Sequence, residues 1–65
     1  MEKFIKFNNR IVNTRYIKTI NKDYSFAYNP YVIKMELTEK DTIYETYKSQ
    51  KKLDERFEWL FEMLK

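Results

Sequence analysis

The stretch YVIKMELT, residues 31–38, decides the fold. Side chains alternate along an extended chain, so Tyr31, Ile33, Met35 and Leu37 share one face while Val32, Lys34, Glu36 and Thr38 share the other. This pattern predicts a strand with one buried face and one wet face. Just downstream, TEKD at 38–41 predicts a turn, and TIYETYK at 42–48 predicts a second strand rich in β-branched and aromatic residues, with Ile43 and Tyr47 inward. From Ser49 the apolar period becomes helical. Ser49 is a suitable N-cap, and Leu53, Phe57, Leu60 and Leu64 follow at i, i+4, i+7 and i+11, a narrow stripe that packs on a sheet.

Upstream, KFIKFNNRIVN at 3–13 reads as a hairpin of 3–7 with 10–13 around Asn8-Asn9, because Asn tolerates the left-handed conformations of tight turns. In NTRYIKTIN at 13–21, Ile17 and Ile20 are three apart, which strict alternation would put on opposite faces. A bulge or a single helical turn after Asn13 reconciles them. Asn21-Lys22-Asp23 predicts a turn by composition. Pro30 cannot donate to a ladder, so Asn29 and Pro30 are expected at the first and second positions of a turn. Tyr24, Phe26 and Tyr28 are then expected on one face of a short strand, with Phe26 buried and the tyrosine hydroxyls near water. The whole reads as α+β: four or five antiparallel strands in a meander over about 2–47, and one amphipathic C-terminal helix over about 49–64 on one face, in a single domain 1–65.

A chain of 65 residues buries only about 60% of the surface its unfolded form exposes. With no Cys and no His it has neither disulfides nor the usual soft metal ligands, so self-association is the remaining staple. The same absence removes the signature of a secreted disulfide scaffold. No apolar run approaches the roughly 20 residues of a membrane span, and MEKFIKFNNR lacks the apolar core of a signal peptide. A cytoplasmic protein without membrane attachment is expected. Lys, Asn, Ile, Tyr and Phe supply 32 of 65 residues, the bias of A+T-rich codons, which points to a low-G+C bacterium or its phage.

Catalysis is poorly provided for. The chain has no His to move protons near neutral pH, no Cys nucleophile and no Gly for a phosphate loop. Asp54, Glu55, Glu58 and Glu62 fall opposite the apolar stripe, where a solvated face accounts for them, and nothing completes a metal shell around them. No enzyme activity, cofactor or metal is therefore expected.

The helix is apolar over an arc of about 200°, with Phe61 widening it on one side and Trp59 and Met63 on the other. A helix on one small sheet needs about half that arc. Trp59, Met63 and Phe61, with Arg56 beside them, are accordingly expected to form a self-association surface, or to be covered by a loop. At the helix start, Lys48, Lys51 and Lys52 crowd a turn where the macrodipole is already positive, an arrangement suited to an anion or a partner's carboxylate. The competing explanation is that the cost is small, or that Lys51 reaches Glu55. Residues 1–34 carry seven basic and two acidic side chains, while 35–65 carry six and eight, so one half is basic and the other acidic. Such a split steers an acidic partner or nucleic acid to one end, unless it is only a solvated face. Tyr24, Tyr28, Arg10, Arg15 and Lys18 are candidate contacts on the basic side.

A strand ending in FNN, then NT followed by Ile17 and Ile20, then YVIKMEL, then a strand running through YKS into an amphipathic helix: this order resembles many short uncharacterised bacterial and phage proteins and the small flagellar FlbD-type family. The resemblance spans most of the chain, rests on apolar spacing, and departs from the family where a Gly would follow the Asn turn and in segment 24–31. It implies a β-meander followed by a helix and carries over no active site. Small phage inhibitors of bacterial defence systems, anti-CRISPR proteins among them, are similar in size and in lacking catalytic residues. The expected function is a non-catalytic protein-interaction module, a homodimeric accessory or inhibitory protein that acts by covering a partner's surface. The alternative is a single-stranded nucleic-acid binder using the basic, tyrosine-bearing sheet face, although no RNP-like, helix-turn-helix or zinc pattern is present.

Overall fold

The computed structural model describes residues 3–25 and 27–65. Five antiparallel strands form a two-stranded sheet, β1-β2, and a three-stranded sheet in the order β3-β4-β5. In chain order these are β1 (Phe4–Phe7), β2 (Arg10–Asn13), β3 (Ile17–Asp23), β4 (Val32–Leu37) and β5 (Thr42–Thr46), followed by helix α1 (Gln50–Leu64). The α+β class and the terminal helix are as the spacing predicts. β3 to β5 make the meander, while β1 and β2 stand apart from it.

The first hairpin turns on two left-handed residues, Asn8 at φ 48° and Asn9 at φ 62°, which match the twist of its strands. That turn pairs Phe4 with Asn13 and Phe7 with Arg10. Ile5, Phe7 and Val12 consequently point inward and are buried. Asn13 then starts a single 3-10 turn over Thr14–Tyr16, its side chain accepting from the Arg15 N–H. The register with β4 slips once, between Ile17 and Thr19. Helical turn and bulge are both present, and together they bring Ile17 and Ile20 half-buried onto one core.

Three local expectations are corrected. Asn21, Lys22 and Asp23 continue β3, paired with Lys34, Ile33 and Val32; cross-strand pairing overrides a composition that favours a turn. The turn is displaced to Asp23, whose carboxylate accepts from the Ser25 N–H and hydroxyl and is held below its usual range, first by the hydroxyl bond. Tyr24 and Tyr28 share no strand: residues 24–25 and 27–31 lie outside any strand, and both rings are exposed. Phe26 lies outside the described residues, as does the start of the strand region at Glu2. Pro30 sits outside any strand, and beside it the Asn29 side chain accepts from the Tyr31 N–H at 2.9 Å. Val32 is buried although its face was expected wet. It lies in the central strand between Asp23 and Thr46, so short neighbours flank it on both sides.

The core is a single cluster in which Ile5, Phe7 and Val12 of the hairpin meet Ile33, Met35 and Ile43 of the sheet and Leu53 and Leu60 of the helix. Ser49 caps α1, accepting from the Lys52 N–H at 3.3 Å. Each fully buried leucine is worth about 1.5–3 kcal/mol in transfer from water. In urea unfolding, Leu53→Ala should therefore cost about 2–5 kcal/mol, most of the stability of so small a domain. Phe61→Ala, on a side chain 58% exposed, should cost about 0.5 kcal/mol or less.

Candidate functional site: an apolar groove beside the helix

The two flanks of α1 have different fates. Along one, the hairpin lies against the helix: Arg56 Nη2 donates to the Lys6 carbonyl, and at the C-terminal end of the helix Lys3 Nζ donates to the Met63 carbonyl at 3.1 Å, a contact that also borders the groove on the other flank. Met63 packs half-buried against the core, and the Arg56 guanidinium sits 4.5 Å over the Trp59 ring. The second surface demanded by the wide apolar arc is thus supplied in part by the same chain, and Trp59 keeps 42% of its surface exposed.

This flank is locked by Glu45, a half-buried carboxylate on the inward face of β5. Its Oε2 accepts from the Asn8 N–H at 2.8 Å, while Oε1 accepts from Arg56 Nε at 3.2 Å and from the Tyr47 hydroxyl. One side chain therefore ties the hairpin turn, the sheet and the helix. The two part-buried bonds, from Arg56 and Tyr47, each contribute on the order of 1.5–3 kcal/mol net, and the exposed one from Asn8 contributes less. Burial, and then the bond to Glu45, push the Tyr47 hydroxyl well above the usual tyrosine range.

Along the opposite flank, Lys22 of β3 reaches Asp54 at 2.8 Å and lies 5.0 Å over the Phe57 ring. That contact holds the Asp54 carboxyl below its usual range and the Lys22 ammonium above it, both through their mutual hydrogen bond. Beyond this contact, toward the end of the helix, strand and helix separate. They leave an open groove of about 560 Å³ between the start of β3 and the last two turns of α1. Ile17, Ile20, Phe57, Leu60, Phe61 and Leu64 give it an apolar floor and wall. Its rim carries Lys3, Lys18 and Lys65, and no carboxylate lines it among the described residues. Lys18 is the residue the register slip leaves out of the ladder, and it is exposed at the groove.

The groove gathers Phe61, Met63 and Lys18 of the residues singled out from the sequence. Trp59 and Arg56 belong to the hairpin flank. At the other end of the helix, Tyr24 accepts from Gln50 at 3.2 Å, which brings Tyr24 beside the start of α1, where Lys48, Lys51 and Lys52 are exposed. Tyr28 projects fully into solvent. Arg10 pairs with Asp41 at 3.0 Å at the hairpin tip, and Arg15 lies 5.8 Å over the Tyr16 ring; neither joins the groove. Sequence reasoning missed Lys3, Lys65, Ile17 and Ile20 as groove residues and Glu45 as the polar hub. The three-residue spacing of the isoleucines was the available signal for the groove; Glu45 gave none, being one carboxylate among ten acidic residues.

Among the described residues no group of three or more acidic side chains is gathered to hold a metal ion, and no helix is long and apolar enough to cross a membrane. No family model, curated protein or solved structure matches this chain.

The Tyr47 site sets an alkaline limit on stability. A raised folded pKa means that the stabilisation is complete below the unfolded tyrosine's value of 10.0 and is lost as pH rises toward the folded value. Urea midpoints compared at about pH 9 and about pH 11 should fall for the wild type, and Tyr47→Phe should lose less between the two.

Proposed function

We propose that this chain is a non-catalytic protein-binding domain that takes an acidic, apolar segment of a partner protein in the groove between β3 and the end of α1. The observation that supports it most directly is the pairing of an apolar floor with a rim of three lysines, lined by no carboxylate among the described residues. Its volume falls within the roughly 300–1,000 Å³ of ligand sites. Its open shape, with a strand on one side and a helix on the other, suits a peptide segment. Bulky apolar side chains of the partner fill the floor, and flanking carboxylates meet Lys18 and Lys65. The affinity comes from the apolar contacts, and the lysines set orientation and the rate of encounter. Such a domain acts by occupying a partner's surface, the behaviour of an accessory or inhibitory protein of a bacterium or phage working in the cytoplasm.

Single-stranded nucleic acid draws less support as the partner. Among the basic residues of the sheet half, Arg10, Lys22 and Lys34 are each within ion-pair distance of a carboxylate, Asp41, Asp54 and Glu36 respectively.

A random peptide library displayed on phage and panned on the immobilised domain tests the proposal. Peptides that combine bulky apolar residues with Asp or Glu should be enriched, and Phe61→Glu should weaken them at least about tenfold without moving the thermal midpoint. No enrichment, or equal binding to Phe61→Glu, would contradict it.

A further inference from the structure

Across the groove flank, side chains are laid out in bands. On the strand side stands Lys18, with Lys3 at the helix C-terminus. Ile17, Ile20, Phe57 and Phe61 make the apolar band between. On the helix side the apolar band gives way to an acidic one. At about 100° per residue, Phe57, Phe61, Asp54, Glu58 and Glu62 follow one another around α1 within about 140°. Phe61, Glu58 and Glu62 are exposed. Asp54 holds the Lys22 ammonium above its usual range, first through their hydrogen bond, and Glu58 adds to the effect, which places Glu58 on this same flank. Glu62 is 3.7 Å from Lys65, in an exposed i, i+3 pair of the kind that contributes little.

A basic, an apolar and an acidic band in that order are complementary to themselves. A two-fold axis running along the apolar band sets the basic band of each copy against the acidic band of the other, and apolar against apolar. The charge split of the sequence has the same sense, seven basic and two acidic side chains over 1–34 against six and eight over 35–65. The helix also carries the chemistry that the groove accepts. Phe61, 58% exposed, with Glu58 and Glu62 beside it, is a bulky apolar side chain flanked by carboxylates.

We infer that a second copy of this chain occupies the groove: two molecules dock face to face about this axis, each placing Phe61 over Ile17 and Ile20 of the other and Glu58 and Glu62 against Lys18 of the other. The contact is isologous and engages both bands of both molecules, so it closes as a dimer. The inference rests on the groove reading for the class of ligand and adds its regulation. Self-association covers the groove, and the acidic segment of a partner protein has to displace the second copy to enter. Of the helix residues expected from the sequence to self-associate, Phe61 takes part, whereas Trp59 and Arg56 lie on the hairpin flank.

Sedimentation equilibrium from about 10 μM to about 1 mM, with no peptide present, tests the dimer apart from the groove reading. The wild type should pass from monomer to dimer within this range, and Trp59→Ala should do the same. Lys18→Glu should weaken the dimer at least about tenfold, and so should the doubly substituted Glu58→Lys, Glu62→Lys protein, because like charges then meet on both sides of the axis. An equimolar mixture of these two variants should dimerise to within about threefold of the wild type, since both contacts become attractive again. All three positions are exposed, so circular dichroism should be unchanged; if the double variant does not fold, Glu58→Lys alone replaces it. A peptide enriched in the panning should dissociate the wild-type dimer. A wild type monomeric throughout, a folded Lys18→Glu that dimerises as tightly as the wild type, a mixture that stays monomeric, a dimer abolished by Trp59→Ala, or an enriched peptide that leaves the dimer intact would each overturn the inference. The first of these, with peptides still enriched, leaves the groove reading standing.

Discussion

The two sheets of this protein share no ladder, and a helix has to hold them together. A 3-10 turn carries the chain from β2 to β3 in place of a fourth strand pairing. The hairpin is therefore attached chiefly by what it buries, Ile5, Phe7 and Val12 against the cluster that contains Leu53 and Leu60. With no Cys and no His in 65 residues, neither a disulfide nor a histidine-held metal is there to do the same work. Leu53 and Leu60 lie seven residues apart on one stripe, and both are buried almost completely. That single stripe is the condition for everything else, because without it neither sheet has a covered face.

From this constraint follows the asymmetry of the helix. The hairpin occupies one flank, where the Glu45 carboxylate gathers Asn8, Arg56 and Tyr47 and fixes the approach of β1. The other flank is left to β3, whose Lys22 reaches Asp54 and whose register with β4 slips between Ile17 and Thr19. The groove lies between that end of β3 and the end of the helix. Its lysines have local roles as well, Lys3 satisfying the Met63 carbonyl and Lys65 lying 3.7 Å from Glu62 at the helix C-terminus, where cations oppose the macrodipole.

Much of this was legible in the residues. Alternation in YVIKMEL specified β4, the Asn8-Asn9 pair specified the hairpin, and the 3.6 period from Leu53 to Leu64 specified the helix. The conflict between Ile17 and Ile20 even required the irregularity that now shapes the groove. What composition misjudged was decided by tertiary contacts. Asn21 to Asp23 look like a turn but pair with β4, and Met63 is packed half-buried against the core while Trp59 stays exposed. The open flank turned out to be the one with Phe61. Glu45 was invisible for a plain reason: a carboxylate in a half-exposed strand signals nothing until its three donors converge from distant parts of the chain.

The account stands or falls on whether the hairpin is an integral part of the one core. Native-state hydrogen exchange measures this directly, since it reports the free energy at which each amide opens. The amides of Ile5, Phe7 and Val12 that bond within the hairpin should open with the same free energy, and the same denaturant dependence, as those of Ile33 and Met35 in the central strand. Hairpin amides that open at distinctly lower free energy, while β4 stays protected, would show that β1 and β2 detach on their own and would contradict the account.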